Sequence, residues 1–214
     1  MIPWRDVGPS RLPILNHLAH AWLAAPDDDL MLGGLIADFL RGALDPELAR
    51  GVRAGVLLHR SVDTYTDAHP QVVAARALFE PPYRRYAGIL LDVWFDHLLA
   101  RDWTRYGEGW LPAFSQSVQN LLTRRAAELP PRMHAFVRYL LAHDLPQRYR
   151  EPRMIADVLH GLSSRLSRAN PLAAALPVIE ERADAIERHF AAFFPDLMAH
   201  ARAERARLAG DSMG

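Results

Sequence analysis

The stretch "YAGILLDVWFDHLLARDW", residues 86–103, decides the fold class of this 214-residue chain. Its apolar residues recur at steps of three and four, which is the period of an α-helix with one face in a core. The same stretch places Asp92, Asp96 and His97 among leucines and aromatic residues. Buried carboxylates are costly unless they are paired, hydrogen-bonded or bound to a cation. The stretch therefore predicts a core helix whose polar residues are paired, hydrogen-bonded or bound to a cation.

The helical period extends through most of the chain, while Pro and Gly fall between the periodic segments. We therefore predict an all-α protein, a single-domain multi-helix bundle. The expected helices cover about 15–24, 28–41, 45–66, 70–80, 83–103, 112–128, 131–143, 152–167 and 172–206. Residues 45–66 open on an Asp-Pro pair, which suits the cap and first position of a helix. Residues 101–114 are expected to be a loop or broken helix.

The domain is predicted to span residues 15–206, after an N-terminal extension of residues 1–14 and before a frayed tail of residues 207–214. Its 25 basic and 25 acidic residues balance, which argues against a nucleic-acid partner. The chain has no Cys, so disulfides and thiolate chemistry are excluded. The N-terminal stretch lacks a long apolar run and the chain has no membrane-length one, so we expect neither a signal peptide nor a membrane protein, but a cytoplasmic one.

One-turn spacings of polar residues recur on the apolar helices. His59 and Asp63 are four residues apart and share a helix face, and Asp67 continues the row. Asp92 and Asp96 repeat this spacing on the next long helix. We interpret these rows as the two walls of a cleft.

Three further residues extend this pattern. His97 lies about 100 degrees round the helix from Asp96 and is expected to border the same cleft. His20 stands in "NHLAH" and Asp38 in the apolar "GGLIADFLRG". Imidazole and carboxylate ligands without Cys suit Mn, Fe, Mg or Zn. The alternative is that these charges form structural ion pairs with nearby arginines, and the spacing alone does not decide between the two.

The blocks "NHLAH", "GGLIADFLRG", "LLHRSVDTYTDAHP" and "YAGILLDVWFDHLLARDW", with a later "VLHGLSSRLSRANPL", resemble the acyl carrier protein phosphodiesterase family in order and spacing. This resemblance implies an all-helical fold distantly related to the HD-domain phosphohydrolases. It also implies a divalent-metal hydrolase, with Mn favoured, that cleaves holo-acyl carrier protein at its serine. The products would be apo-acyl carrier protein and 4'-phosphopantetheine.

The resemblance implies a set of site residues in this chain. The expected metal ligands are His20, Asp38, His59, Asp63 and Asp96. The expected catalytic residues are His97 as the proton donor, Asp92 to orient it or hold metal, Arg60 to bind the phosphate, and Asp67. Acyl carrier proteins are acidic, so an arginine patch is expected to dock the substrate. Its proposed members are Arg41, Arg53, Arg76, Arg84 and Arg85.

Two other functions fit the same residues. A phosphohydrolase acting on a nucleotide or another small phosphoester would use the same metal cleft. A non-catalytic helical scaffold would bury the same charges as ion pairs and bind no metal. The sequence predicts no oligomeric state.

Overall fold

The computed structural model describes residues 16–40 and 42–210, and within them the chain forms α-helices and no β-strand. The predicted all-α class is confirmed. The helices are α1 (His17–Ala24), α2 (Asp28–Ile36), α3 (Arg50–Ala68), α4 (Pro70–Ala77), α5 (Ala87–Arg101), α6 (Trp103–Tyr106), α7 (Leu111–Arg124), α8 (His134–Ala142), α9 (Pro152–Arg165), α10 (Leu176–Glu180) and α11 (Ala183–Gly210). Short 3-10 turns connect several of them, including Ala37–Phe39, Arg84–Tyr86 and Gln147–Arg150. In this part of the chain no helix combines the length and apolarity needed to span a bilayer.

The Asp-Pro pair does not open a helix as predicted. Asp45 instead caps a tight turn, where its carboxylate accepts the amide hydrogen of Glu47 at 2.9 Å and its carbonyl accepts that of Leu48 at 3.1 Å. An Asp side chain that binds a backbone amide two residues on favours a turn over a helix start. α3 therefore begins only at Arg50.

The C-terminal helical region also differs from the prediction. The segment 172–206 is divided into a 3-10 turn, α10 and α11, and α11 continues to Gly210. Residues 207–210, expected to fray, are therefore helical. The expected loop at 101–114 contains the short helix α6. The predicted N-terminal extension, Leu15 and residues 211–214 lie outside the described residues.

The helix α5 lies at the centre of the fold, because every residue from Leu90 to Ala100 is buried. It packs against α1, α4, α9 and α11. Its polar residues therefore face neighbouring helices and not solvent. What each of them does depends on which helix it faces.

The helices α2 and α3 cross with their backbones in close contact. A Cβ atom added to Gly33 would lie 2.1 Å from the carbonyl oxygen of Val52, and one added to Gly55 would lie 2.3 Å from that of Leu30. Only glycine permits this approach. The crossing also brings the carbonyl oxygen of Gly34 to 2.8 Å from Nδ1 of His59.

Candidate metal centre

His20, His59 and Asp63 form a compact group that could hold a metal ion, with one ligand atom from each within 4.8 Å of the others. The two carboxylate oxygens of Asp63 lie 3.2 Å from Nε2 of His20 and 3.2 Å from Nε2 of His59. The two imidazole rings stack with their centroids 3.7 Å apart. Helix α1 supplies His20, and α3 supplies the other two from successive turns. The predicted one-turn spacing of His59 and Asp63 thus brings both side chains to one point.

Asp38 adds a fourth oxygen donor from the turn Ala37–Phe39. Its Oδ1 lies 3.3 Å from Nε2 of His59, and its side chain is 17% exposed. The group therefore joins α1, α3 and the segment after α2. Four of the five predicted metal ligands meet here, at a point where solvent reaches Asp38 and Asp63.

The geometry of the group fits a bound cation. Nitrogen and oxygen ligands about 2.1 Å from one ion lie roughly 3.0 to 3.4 Å from each other, and the contacts of Asp63 with each histidine and of Asp38 with His59 fall in this range. Oδ2 of Asp38 is buried without a hydrogen-bond partner, and the nearest polar group to the buried Nε2 of His20 is the Asp63 carboxylate at 3.2 Å. His59 donates its Nδ1 hydrogen to the carbonyl of Gly34, so its Nε2 faces carboxylates and must bind either a proton or a cation.

The electrostatics of the group support this interpretation. Burial opposes protonation of His59, yet Asp38 and Asp63 raise the pKa of His59 to about 10. Burial, followed by the charge of His59, lowers the pKa of His20. Despite its burial, the contacts of Asp63 with the two histidines hold the pKa of that carboxyl below its usual range. The group therefore attracts positive charge to the position where a metal would lie.

Asp92 lies on α5, within range of the charge of Asp63. Burial, followed by the negative charge of Asp63, raises the pKa of Asp92 well above its ordinary value, and the nearby charge of Arg76 opposes this. Asp67 is exposed and forms an ion pair with Arg76. Asp92 is thus a buried carboxyl whose environment favours the protonated form, near the candidate ligand Asp63.

The structure places Asp96 outside the candidate metal-binding group. Its two carboxylate oxygens accept the amide hydrogens of Leu18 and Ala19 at 2.9 and 3.0 Å, so they satisfy the open N-terminus of α1. Burial raises the pKa of Asp96 to about 8, although the two amides oppose this. The predicted metal role of Asp96 is thus corrected to an inferred structural one, because backbone donors occupy both its oxygens.

His97 also lies outside the group. Its Nδ1 donates to the carbonyl oxygen of Tyr149 at 2.8 Å, and its ring packs 4.4 Å from that of Trp94. Burial lowers its pKa, and the charges that act on it are those of Arg101, Asp102 and Glu180. The predicted role of His97 as proton donor therefore lacks a contact with the cleft.

The arginines predicted to bind the phosphate or to dock the carrier protein lie in different parts of the structure. Arg60 is exposed on α3, and its Nη2 donates to the carbonyl of Gly42 at 3.4 Å. Arg53 is partly buried and stands six residues before His59, roughly 9 Å along the helix. Arg41 lies outside the described residues.

Arg76, Arg84 and Arg85 line one surface pocket of about 460 Å³. Its other lining residues are Val73, Ala77, Ala87 and Gly88, so no acidic side chain lines it. Arg76 connects the pocket to the metal group, since its ion-pair partner Asp67 lies one turn beyond Asp63 on α3. Three of the predicted docking arginines therefore share one pocket, and Arg76 links this pocket to α3.

Among the buried polar residues that were not predicted as site residues, two have unpaired side-chain atoms near the candidate site residues. His17 is 2% exposed and neither ring nitrogen has a hydrogen-bond partner, and the hydroxyl of Tyr149 is likewise buried and unpaired. The spacing of His17 and His20, three apart in "NHLAH", could have indicated His17. No local pattern indicates Tyr149.

Comparison with known proteins identifies the family. Residues 15–197 match the sequence profile described as "Acyl carrier protein phosphodiesterase". The chain belongs to the acyl carrier protein phosphodiesterase family. A family member of this name from Yersinia pestis is 38% identical over 189 residues, covering 88% of this chain and 98% of its own length. One from Pectobacterium atrosepticum is 36% identical over 192 residues, covering 89% and 100%.

Membership of this family makes the chain a phosphodiester hydrolase, as predicted. No solved structure matches the chain. The distant likeness to HD-domain proteins therefore stays a prediction.

Proposed function

We propose that this protein hydrolyses holo-acyl carrier protein to apo-acyl carrier protein and 4'-phosphopantetheine in the cytoplasm, with a divalent cation as cofactor. The observation that supports it best is the group of His20, His59 and Asp63, with the buried and unpaired Oδ2 of Asp38 beside it, in a chain whose relatives carry this enzyme's name. The family resemblance favours Mn, and the imidazole and carboxylate donors alone would also suit Fe, Mg or Zn.

His20, His59 and Asp63 would hold the ion, with Asp38 as the fourth protein ligand. A divalent cation there supplies Lewis-acid stabilisation of the phosphate oxygens and lowers the pKa of a water molecule. The chain's own part is to fix the ligands, as Gly34 does for His59. In the reaction, a water oxygen forms a bond to phosphorus and the bond to the serine oxygen breaks.

The leaving serine oxygen needs a proton, and Asp92 replaces His97 as our candidate donor. Asp92 is a buried carboxyl next to the ligands and its environment favours the protonated form. The proton passes from Asp92 to the serine oxygen, and the attacking water returns one to solvent or to the carboxylate. Arg60 and Arg76 are the candidate groups for the non-bridging phosphate oxygens, and Asp67 holds Arg76 in place.

The arginine pocket is the proposed docking surface for the acidic carrier protein. Arg76, Arg84 and Arg85 present positive charge with no acidic side chain in the lining. Such a surface mainly accelerates encounter with an acidic partner and orients it. Its position next to Asp67 brings the modified serine towards the metal group.

The test is to incubate the protein and Mn with holo-acyl carrier protein and to follow the loss of phosphopantetheine by mass spectrometry. His59→Ala should abolish turnover and metal binding, whereas the control His134→Ala, at an exposed histidine at the start of α8, should change neither. Asp92→Asn should keep the metal and lose at least about a hundredfold in kcat, which is typical for a missing acid. Hydrolysis of a small phosphoester without turnover of holo-acyl carrier protein would instead favour the small-molecule phosphohydrolase.

A further inference from the structure

We propose that the arginine pocket binds a phosphate group at a site separate from the candidate metal-binding group, and that free phosphate compounds compete there with the carrier protein. Phosphate binding needs only the pocket, whereas the competition rests on the proposed function. The pocket offers about 460 Å³ that water can enter, whereas one water molecule needs about 10 to 15 Å³ of such space. A phosphate group therefore fits together with its bound water.

The pocket carries more positive than negative charge. Arg76 comes from α4, and Arg84 and Arg85 come from the 3-10 turn before α5. Among the described residues, Asp67 is the one acidic side chain that pairs with any of the three, and it is 68% exposed. A phosphate dianion supplies the missing negative charge, and the planar fork of a guanidinium matches two phosphate oxygens.

Two of the three guanidinium groups are already held in place. Asp67 binds Arg76, and the Arg85 guanidinium donates to the hydroxyl of Tyr86 and lies 4.6 Å from the centre of that ring. Arg84 is exposed, and within the described residues its guanidinium has neither a hydrogen bond nor an ion pair. Holding two groups before the ligand arrives lowers the ordering cost of binding, and Arg84 is free to contact the ligand.

The start of α5 adds to this attraction for an anion. Ala87 and Gly88 line the pocket, and a Cβ atom added to Gly88 would lie 3.7 to 3.9 Å from three guanidinium atoms of Arg76. The first turn of α5 contains no acidic residue, and the side chain of its N-cap residue Tyr86 does not cap it. The positive end of the helix dipole therefore lies beside the arginines without a compensating charge of its own, an arrangement that favours phosphate.

The pocket shares no residue with the candidate metal-binding group, because no candidate metal ligand lines it. The connection between the two runs along α3, where Asp67, the partner of Arg76, stands one helical turn, roughly 6 Å, beyond Asp63. Phosphate can therefore occupy the pocket without displacing a ligand of the metal. Because docking of the acidic carrier protein uses the same three arginines, phosphate and carrier protein exclude each other.

Isothermal titration calorimetry with inorganic phosphate tests the site. The Mn-loaded protein, freed of unbound Mn, is titrated at a constant ionic strength set with chloride. Arg84→Gln should weaken phosphate binding at least about tenfold, the effect of one charge-assisted hydrogen bond. The matched control is Arg138→Gln, at an exposed arginine of α8, which should bind phosphate like the unmodified protein. Phosphate bound at the Mn itself would be equally tight in all three proteins.

The competition is measured as turnover of holo-acyl carrier protein with added phosphate. Phosphate should raise KM and leave kcat unchanged, and the concentration that doubles KM should be at least about tenfold higher in Arg84→Gln than in Arg138→Gln. Titration with 4'-phosphopantetheine, a phosphate monoester, identifies the source of the ligand. If it binds more tightly than inorganic phosphate, the released product is the ligand; if it binds less tightly, inorganic phosphate is. Pantetheine, which has no phosphate, should not displace either.

Equal phosphate affinity in the unmodified protein and Arg84→Gln, or no binding at all, would overturn the phosphate site and leave the proposed function intact. A protein that bound phosphate through Arg84 but did not convert holo-acyl carrier protein would refute the proposed function, and the competition with it, while the phosphate site remained. The two failures are therefore distinguishable, because calorimetry needs no carrier protein.

Discussion

Replacing Asp96 by Ala should cost the protein much stability, and the folded variant should still bind its metal. Asp96 accepts two backbone amides at the start of α1, at 2.9 and 3.0 Å, and it is fully buried. Without the carboxyl, both amides lose their acceptor where water cannot replace it. At about 1 to 3 kcal/mol for each unpaired donor, the free energy of unfolding should fall by roughly 2 to 6 kcal/mol.

The matched control is Asp63→Ala, the same truncation of a carboxylate that is 39% exposed. Measured without metal, it should lower the free energy of unfolding less than Asp96→Ala does, because solvent reaches the Asp63 carboxylate in the folded protein and does not reach Asp96. It should, however, remove the metal. Urea denaturation and metal analysis therefore distinguish the two variants. Asp96→Ala should lose more stability and keep the metal, whereas Asp63→Ala should lose less stability and lose the metal.

Asp96→Asn covers the case in which the Ala variant does not fold. Its amide keeps one accepting oxygen, so the loss should be about half as large, roughly 1 to 3 kcal/mol. With Mn in excess, the folded Asn variant should bind as many ions as the unmodified protein. A variant that is fully stable but free of metal would refute the structural role of Asp96 and restore its role as a ligand.

Three further predictions concern other parts of the fold. Gly55→Ala should cost about 1 to 3 kcal/mol in denaturant unfolding, because its Cβ would overlap the carbonyl of Leu30, whereas Gly161→Ala should be neutral or stabilising. Charge reversal of Arg84 and Arg85 should lower kcat/KM for holo-acyl carrier protein, most strongly at low salt, and leave hydrolysis of a small diester unchanged. Burial lowers the pKa of His17 to about 3, so below about pH 6.5 the unfolded state binds the extra proton and stability should fall by up to about 1.4 kcal/mol per pH unit. His17→Phe should reduce this slope by the share of one proton, which unfolding measured from pH 4 to 8 would show, whereas the buried His20 and His97, whose pKa values are also lowered, keep theirs.

The helix period predicted the candidate metal-binding face of α3, because residues on one face of a helix are related by sequence spacing alone. Residues four apart on one helix share a face whatever surrounds them, so His59 and Asp63 meet as expected. The same reasoning misplaced Asp96, although Asp92 stands one turn before it. α5 is buried on all sides, so its successive turns face different neighbouring helices. Asp92 lies near Asp63 of α3, whereas Asp96 lies at the N-terminus of α1. Which helix covers each turn is a tertiary fact that spacing does not contain.

The roles of Asp96 and Gly34 explain why polar groups are buried so near a candidate metal site. Nε2 of His20 reaches His59 and Asp63 only if α1 has one position along its axis and one rotation about it. Asp96 holds the first turn of α1 in place by accepting the amide hydrogens of Leu18 and Ala19. The Gly34 carbonyl fixes the ring of His59, and it reaches that ring because α2 and α3 cross through Gly33 and Gly55. A centre assembled from separate helices needs such supports, since a shift of a ligand by an ångström is enough to lose function. Weakening either support should therefore lower metal affinity without removing a ligand, and excess Mn should restore binding.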